Sequence, residues 1–279
     1  MKYYFSFLRS KQFNKMPVRI LLRALNLLFL VIFNISKEIK YSFGAKVVKF
    51  KFIPLKRHMG GRGIYLYEEN IEPLLKYGHY LIKKGDNIID GGANQGIFSL
   101  AFGKKVGRTG TIFAVEPFKY CIKQIKHNSK INNLKNIKTI QCCLYNREKT
   151  TQIDYSQGIG SASIVRNFGT KKKYVRTIQL DTLKKKNSLR AINFIKLDIE
   201  GAELFALQGA KMILEKDKPT LSVECEKKDF IKVNFFLNKY GYVPFLFDEN
   251  GILRRVYKIY KKEACLIFIN KNNLNYKFV

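Results

Sequence analysis

The sequence predicts an α/β fold: a mostly parallel sheet covered by helices and closed by an antiparallel last strand. Three observations carry this expectation. Apolar runs of strand length recur from Ile88 to Ile269 with helical patterns between them. The first run ends in a glycine-rich turn, Asp90-Gly91-Gly92-Ala93-Asn94-Gln95-Gly96, ahead of a helical stretch. The chain of 279 residues, 46% of them hydrophobic, suits one α/β domain with a short appendage, because a single core stops growing at about 250 residues.

Taken in order, residues 1–60 form a basic N-terminal segment in which Glu38 is the only acid. Within it Ile20 to Ile35 is apolar apart from Arg23, Asn26 and Asn34. As a helix this stretch would be about 24 Å long, short of the roughly 30 Å hydrocarbon core, so a simple span is disfavoured. No small-x-small site follows, which argues against a cleaved signal peptide. Two readings remain: a helix docked on its own domain, or one lying on an anionic membrane face.

Residues 61–279 are expected to form the α/β domain. Its first strand is Asn87 to Asp90, followed by a helix over Ile97 to Val106. Next come a strand from Thr111 to Val115, ending at Glu116, and a helix presenting Cys121, Ile122 and Ile125 on one side. Further strands read at Thr139 to Leu144, Phe194 to Leu197, Leu221 to Val223, Val243 to Phe247 and Cys265 to Ile269. The turn signal Glu249-Asn250-Gly251 lets the last two pair antiparallel. Lys171 to Lys173 and Lys184 to Lys186 read as solvated loops.

The net charge of +31, from 52 Lys and Arg against 21 Asp and Glu, would attract nucleic acid or anionic lipid. A lysine-, asparagine- and isoleucine-rich composition gives the same number with no partner at all. Five cysteines without paired spacing suggest neither a disulfide framework nor a zinc site, and fit small core residues in a reducing cytoplasmic setting.

A strand ending in Asp90 and a turn carrying Gly91, Gly92 and Gly96 bring backbone close to a ligand at the carboxyl edge of the sheet, and Gly92 is expected to stay bare for that approach. Glu116, ending the next strand, could accept both hydroxyls of a ribose. Dinucleotide binding wants glycine where Ala93 stands, and no G-x-x-x-x-G-K-[ST] phosphate loop occurs. S-adenosylmethionine, with a sulfonium and an amine and no phosphate, suits Asp90 better. The plain alternative is a glycine turn that only packs helix on strand.

These residues resemble the FkbM family of methyltransferases. The resemblance runs from about Arg62 to Asn270. It includes the Asp90 to Gly96 turn, Ala114-Val115-Glu116-Pro117-Phe118, Gly160-Ser161-Ala162-Ser163 and Leu180-Asp181-Thr182-Leu183. Its most specific piece is Ile195-Lys196-Leu197-Asp198-Ile199-Glu200-Gly201-Ala202-Glu203, followed by Leu207-Gln208-Gly209-Ala210, Pro219 and Glu224. The resemblance implies a Rossmann-like, seven-stranded methyltransferase fold and methyl transfer from S-adenosylmethionine, usually to a hydroxyl of a sugar or natural-product scaffold. It implies cofactor contacts at Asp90, Gly91, Gly92, Ala93, Asn94, Gly96, Glu116 and Pro117. Asn146 stands where members commonly carry Asp, and its amide oxygen could still accept from the adenine amino group.

Transfer to a hydroxyl needs an aligned acceptor and removal of a proton. Asp198 and Glu200, at the end of a central strand, and Glu224, at the end of the next, are the candidate catalytic carboxylates. Asp198 is the expected base, its replacement by Asn sparing the fold; the competing reading makes Asp198 a helix cap ahead of Glu203. The three could also hold a hard cation such as magnesium, but no metal is assigned. His58, in a glycine-rich stretch that could cap the acceptor, is the histidine to watch; His79 and His127 lie outside the motifs. Two other classes compete. An RNA methyltransferase is favoured by charge, but an N-P-P-[YF] segment and a stacking series are lacking, so nucleic acid is not the expected partner. A non-catalytic membrane-associated scaffold would have little use for Asp90, Glu116 and Asp198. The expected partners are a hydroxyl-bearing sugar or glycan and an anionic membrane surface, at whose inner face the chain would be peripheral.

Overall fold

The computed structural model describes residues 17–53, 60–260 and 262–274; His58 lies outside them. Helix α1 (Pro17–Ile32) leads into a hairpin, β1 (Lys37–Phe43) and β2 (Lys46–Phe52), paired antiparallel with Tyr41 opposite Val48. Alternate residues of the hairpin, Tyr41, Phe43, Val48, Phe50 and Phe52, are buried, as a pleated strand with one face on a core requires. The outer edge of β2 is not left open. The amides of Lys49 and Lys51 donate to the side-chain oxygens of Asn132 and Asn128, each at 2.9 Å. Short helices α2 (Gly60–Tyr67) and α3 (Pro73–Tyr77), joined by a 3-10 turn over Glu68–Ile71, complete the approach to the sheet.

The α/β body follows: β3 (Asn87–Gly91), α4 (Ile97–Val106), β4 (Thr111–Val115), α5 (Lys119–Ile131) and β5 (Ile137–Ile140). The chain then leaves the sheet. Strand β6 (Cys143–Leu144) pairs instead with β8 (Lys172–Ile178), which also pairs antiparallel with β7 (Thr150–Asp154). The single strand expected over Thr139 to Leu144 is therefore two, broken at Gln141 and Cys142. After α6 (Leu180–Lys186) come β9 (Phe194–Leu197), α7 (Glu203–Gln208), β10 (Thr220–Glu226), α8 (Phe230–Asn238), β11 (Tyr242–Phe247), β12 (Leu253–Arg255) and β13 (Glu263–Asn270). Lys172 and Lys173 thus sit in a strand and Lys184 to Lys186 in a helix, not in loops.

The central sheet has the order β12-β11-β13-β10-β9-β3-β4-β5. Strands β3, β4, β5, β9 and β10 run parallel, and β13 runs antiparallel between β10 and β11. This is the expected α/β arrangement with an antiparallel last strand, with β12 added at the edge. Successive strand residues feed opposite faces. Ile88, Phe194 and Ile267 join one apolar cluster, and Ile89, Ile195, Leu266 and Phe268 join the other. The first cluster also holds Leu27, Leu30 and Val31 of α1 and the buried side of the hairpin, so the N-terminal elements share the core of the body.

Candidate active site

Strand β3 delivers the glycine turn to the carboxyl edge of the sheet, where Gly92, Asn94 and Gly96 adopt left-handed φ of +73°, +47° and +90°. The need for glycine at position 92 has a cause beyond the expected approach of a ligand. A Cβ there would lie 1.8 Å from the carbonyl oxygen of Asp198, so the crowding comes from the protein's own neighbouring loop. Asp90 is fully buried. One of its oxygens accepts from the Ser99 hydroxyl at 2.5 Å, and the other, enclosed, has no protein partner. Burial pushes its carboxyl up, with the nearby Lys196 ammonium acting the other way. Glu116 accepts from the amides of Asn94 (2.9 Å) and Phe118 (3.0 Å). Burial raises it to about 7 despite these bonds.

A cleft of about 200 Å³ opens between this turn and the end of β9. Gly92, Ala93, Asn94, Glu116 and Pro117 line one end, and Lys196, Asp198 and Glu200 the other. Asp90, Gly91 and Gly96 stand behind the lining and shape it. Asn146 is not in the lining: its side-chain nitrogen donates to Gln208 at 3.2 Å, its side-chain oxygen is buried without a protein partner, and Cys142, Cys143 and Leu144 line the cleft from that part of the chain. Glu224 does not line the cleft and acts on it through Asp198.

The carboxylates at the β9 end have unequal surroundings. Asp198 Oδ2 meets the Lys196 ammonium at 2.9 Å, with 36% of the Asp198 side chain open to the cleft and only 3% of that of Lys196 accessible. Burial pushes Asp198 up, but the ammonium and a hydrogen bond donated by Glu224 outweigh it and hold the group below its usual range. Glu224 goes the other way: burial and the Asp198 charge raise it well above the carboxylate range, so it keeps its proton at neutral pH. Glu200, at a left-handed φ of +56°, is raised to about 7 by burial and by Asp198, with the Arg166 guanidinium at 3.2 Å opposing. The helix-cap reading of Asp198 fails, because Glu203 caps the turn, accepting from the amides of Ile199 (2.9 Å) and Gly201 (3.2 Å). The geometry also changes the expectation that Asp198→Asn spares the fold: the substitution would take the charged partner from a buried ammonium and is expected to cost stability.

Sequence reasoning gave no role to four residues that the fold places here. Lys196 lies over the Phe98 ring at 4.8 Å; burial lowers its affinity for a proton, and the charges of Asp198, Asp90 and Glu72 more than restore it. Glu72, on the cleft wall, is raised to about 7 by burial. Arg166 bridges Glu200 and Glu226 from a loop that Ser163 ties to the Glu200 carbonyl at 2.7 Å. A lysine inside the apolar run Phe194–Leu197 was the available signal for the first of these.

Among the described residues, Asp198, Glu200 and Glu224 offer oxygens within 4.8 Å of one another, a spacing that a divalent cation could bridge. Two cations already face them, Lys196 and Arg166. The rest of the cleft fits S-adenosylmethionine. Its lining carries more carboxyl groups than ammonium groups, which suits a sulfonium; the unpartnered Asp90 oxygen suits a nearby donor; and Glu116 has lone pairs left for ribose hydroxyls.

Comparison with known proteins agrees with this chemistry. Residues 90–244, more than half of the chain, match the family described as the methyltransferase FkbM domain. "Methyltransferase 1" of Beauveria bassiana is 26% identical over 144 residues, a stretch covering 44% of this chain and 57% of that relative. The chain therefore spans a little over half the length of this relative. Among solved structures, a methyltransferase FkbM from Methylobacillus flagellatus is similar over 75% of this chain and 53% of its own, at 14% identity and a TM-score of 0.45. Fibrillarin from Aeropyrum pernix, solved with S-adenosylmethionine bound, is similar over 68% of each chain, at 12% identity and a TM-score of 0.43. By the match across residues 90–244, the chain belongs to the FkbM family of methyltransferases, which use S-adenosylmethionine.

Proposed function

We propose that the chain methylates a hydroxyl, on a sugar, glycan or natural-product scaffold, with Glu200 taking the hydroxyl proton and Asp198 holding the hydroxyl in place. The observation that carries this reading is the divergence of two neighbouring carboxylates on one cleft. Asp198 is held below the usual range by Lys196, and Glu200 is raised to about 7. A group tuned near the working pH is the better proton acceptor, and one paired with an ammonium is the better fixed acceptor of a hydrogen bond. The base role thus moves from Asp198 to Glu200, and protonated Glu224 serves as a donor that steadies Asp198. When bound, S-adenosylmethionine supplies an electrophilic methyl group on a positively charged sulfur. Arg166 gives Glu200 a fixed orientation, and the Ser163 contact ties the same loop to the backbone beneath it.

The test is transfer of labelled methyl from S-adenosylmethionine to fractionated glycans, lipids and RNA. A base-stable methyl ether on a glycan or glycolipid is expected, with Glu200→Gln lowering kcat by about 10²- to 10⁴-fold while cofactor affinity stays put. Label confined to RNA, or unimpaired turnover by Glu200→Gln, would overturn the reading.

A further inference from the structure

Helix α1 is apolar on two sides, and the core uses only one. Ile20, Leu27, Leu30 and Val31 are buried. Leu21, Leu22, Leu25, Leu28, Phe29 and Ile32, a row at helical spacing on the other side, are each 45–63% exposed. Single exposed apolar residues are ordinary on a protein surface, but a continuous row along one helix is not. No described helix is long and apolar enough to cross a membrane.

The surroundings of this row are basic. A groove beside it has Leu22, Arg23, Lys37 and Lys40 in its walls, with Lys37 and Lys40 exposed. Of the two acids there, Glu68 is already paired with both Arg19 and Arg23, and Glu38 is exposed beside Lys37, leaving the groove with more basic than acidic groups. The 16 residues preceding the helix contain four basic side chains and no acidic one. A second copy of a chain carrying +31 would bring like charges together on this face, whereas an anionic lipid surface would neutralise them.

We propose that this outward face of α1 seats the enzyme on an anionic bilayer, with the apolar row at the boundary of headgroups and acyl chains and the adjoining lysines on lipid phosphates. The seat is joined to the cleft. Arg23 donates to the carbonyls of Tyr65 and Leu66 at 3.4 and 3.3 Å, and Asn26 accepts from the Tyr65 hydroxyl at 2.8 Å. From there the chain runs through Glu68–Ile71 to Ile71 and Glu72 on the cleft wall. An acceptor presented from a membrane would meet the cleft from a braced side. The inference stands whichever hydroxyl is methylated.

The experiment is co-sedimentation of the full chain with phosphatidylcholine vesicles and with vesicles of phosphatidylcholine and phosphatidylglycerol at roughly 3:1, chosen to give a strong surface potential. Binding to the anionic vesicles is expected, falling with added salt. It should drop at least about tenfold for Leu25→Glu/Phe29→Glu, and also for Lys37→Glu/Lys40→Glu. Unchanged S-adenosylmethionine affinity in both variants shows that the fold is intact. Equal binding to both vesicle types, no binding by the unaltered chain, or full binding by Leu25→Glu/Phe29→Glu would overturn the proposal. So would a dimer in solution that Leu25→Glu/Phe29→Glu converts to monomers.

Discussion

Replacing Lys196 by Met removes the ammonium that sits among Asp198, Asp90 and Glu72 while keeping a flexible apolar side chain against Phe98. Three carboxyl groups then face one another with little compensation. Breaking a buried pair from one side costs about 3–5 kcal/mol. For a chain of this size that corresponds to a fall in Tm of about 6–20 °C at neutral pH. The pH dependence separates charge from packing. Asp198 is held below its usual range in the folded enzyme, so its contribution to stability is present above the unfolded value and is lost as pH falls through the folded one. Without Lys196 that contribution disappears. Asp198, Asp90 and Glu72 instead take up protons more readily in the folded state, and this relieves their repulsion on acidification. The deficit relative to the unaltered enzyme should therefore be largest near pH 8 and shrink to roughly half by pH 5.5. Thermal melts across that range, supported by a double-mutant cycle with Asp198→Asn expected to show about 1–3 kcal/mol of coupling, provide the measurement. An equal deficit at both ends of the range would mean that Lys196 matters through its contact with Phe98, and the electrostatic account of Asp198 would be wrong.

Three further outcomes are expected. Glu116→Gln should weaken S-adenosylmethionine binding by about 1.5–3 kcal/mol, roughly 10- to 150-fold by calorimetry. Because burial raises Glu116 from 4.5 to about 7, its contribution to apo-enzyme stability is present below pH 4.5 and lost as pH rises through 7. The same proton makes cofactor affinity climb between pH 6 and 8, by at most about tenfold per pH unit, and a flat profile would dissociate Glu116 from the ribose. Gly92→Ala should destabilise by more than the roughly 1–2 kcal/mol of a left-handed backbone alone, since its Cβ would also meet the Asp198 carbonyl; normal soluble yield and an unchanged Tm would contradict this. Asp154 accepts from the amides of Ser156 (2.8 Å), Phe168 (2.7 Å) and Gly169 (2.9 Å), so Asp154→Asn should loosen the loop that carries Arg166. Faster amide exchange over residues 155–169 with a raised acceptor KM is expected; a change in Tm alone would reduce Asp154 to a structural role.

The α/β body was legible because its signals are local. The turn from Asp90 to Gly96 and the strands ending at Glu116 and Leu197 each carry periodicity and punctuation within about ten residues. The hairpin β1–β2 was also written there, as the alternation of lysine with apolar residues in Lys46–Phe52, but the apolar helix before it drew the reading toward a separate basic segment. The break after Ile140 was not legible, since Cys142, Cys143 and Leu144 look like a continuation of the strand. Only their pairing with β8, more than thirty residues on, draws them away. At the site, the positions of Asp198 and Glu200 followed from the strand end, but their roles did not. The role of each depends on Lys196, Arg166 and Glu224, whose relative placement is set by two strands and a loop. Asn146 shows the converse: the sequence suggested a cofactor contact, and its side chain instead meets Gln208.

The position of β13 has a consequence for how the chain is made. The last strand of the described sheet is not at its edge but between β10 and β11, with Leu221 opposite Phe268 and Val243 opposite Ile269. A nascent chain that has not yet emerged past residue 270 therefore carries two unsatisfied strand edges lined with apolar side chains, and Glu224 has no Cys265 opposite it. During synthesis these edges are free to pair with other chains, so folding competes with aggregation until β13 slots into the gap. Slow translation through the region between β11 and β13 would lengthen that exposure, and a ribosome stalled there would hold a chain that has its cofactor turn but not a closed sheet.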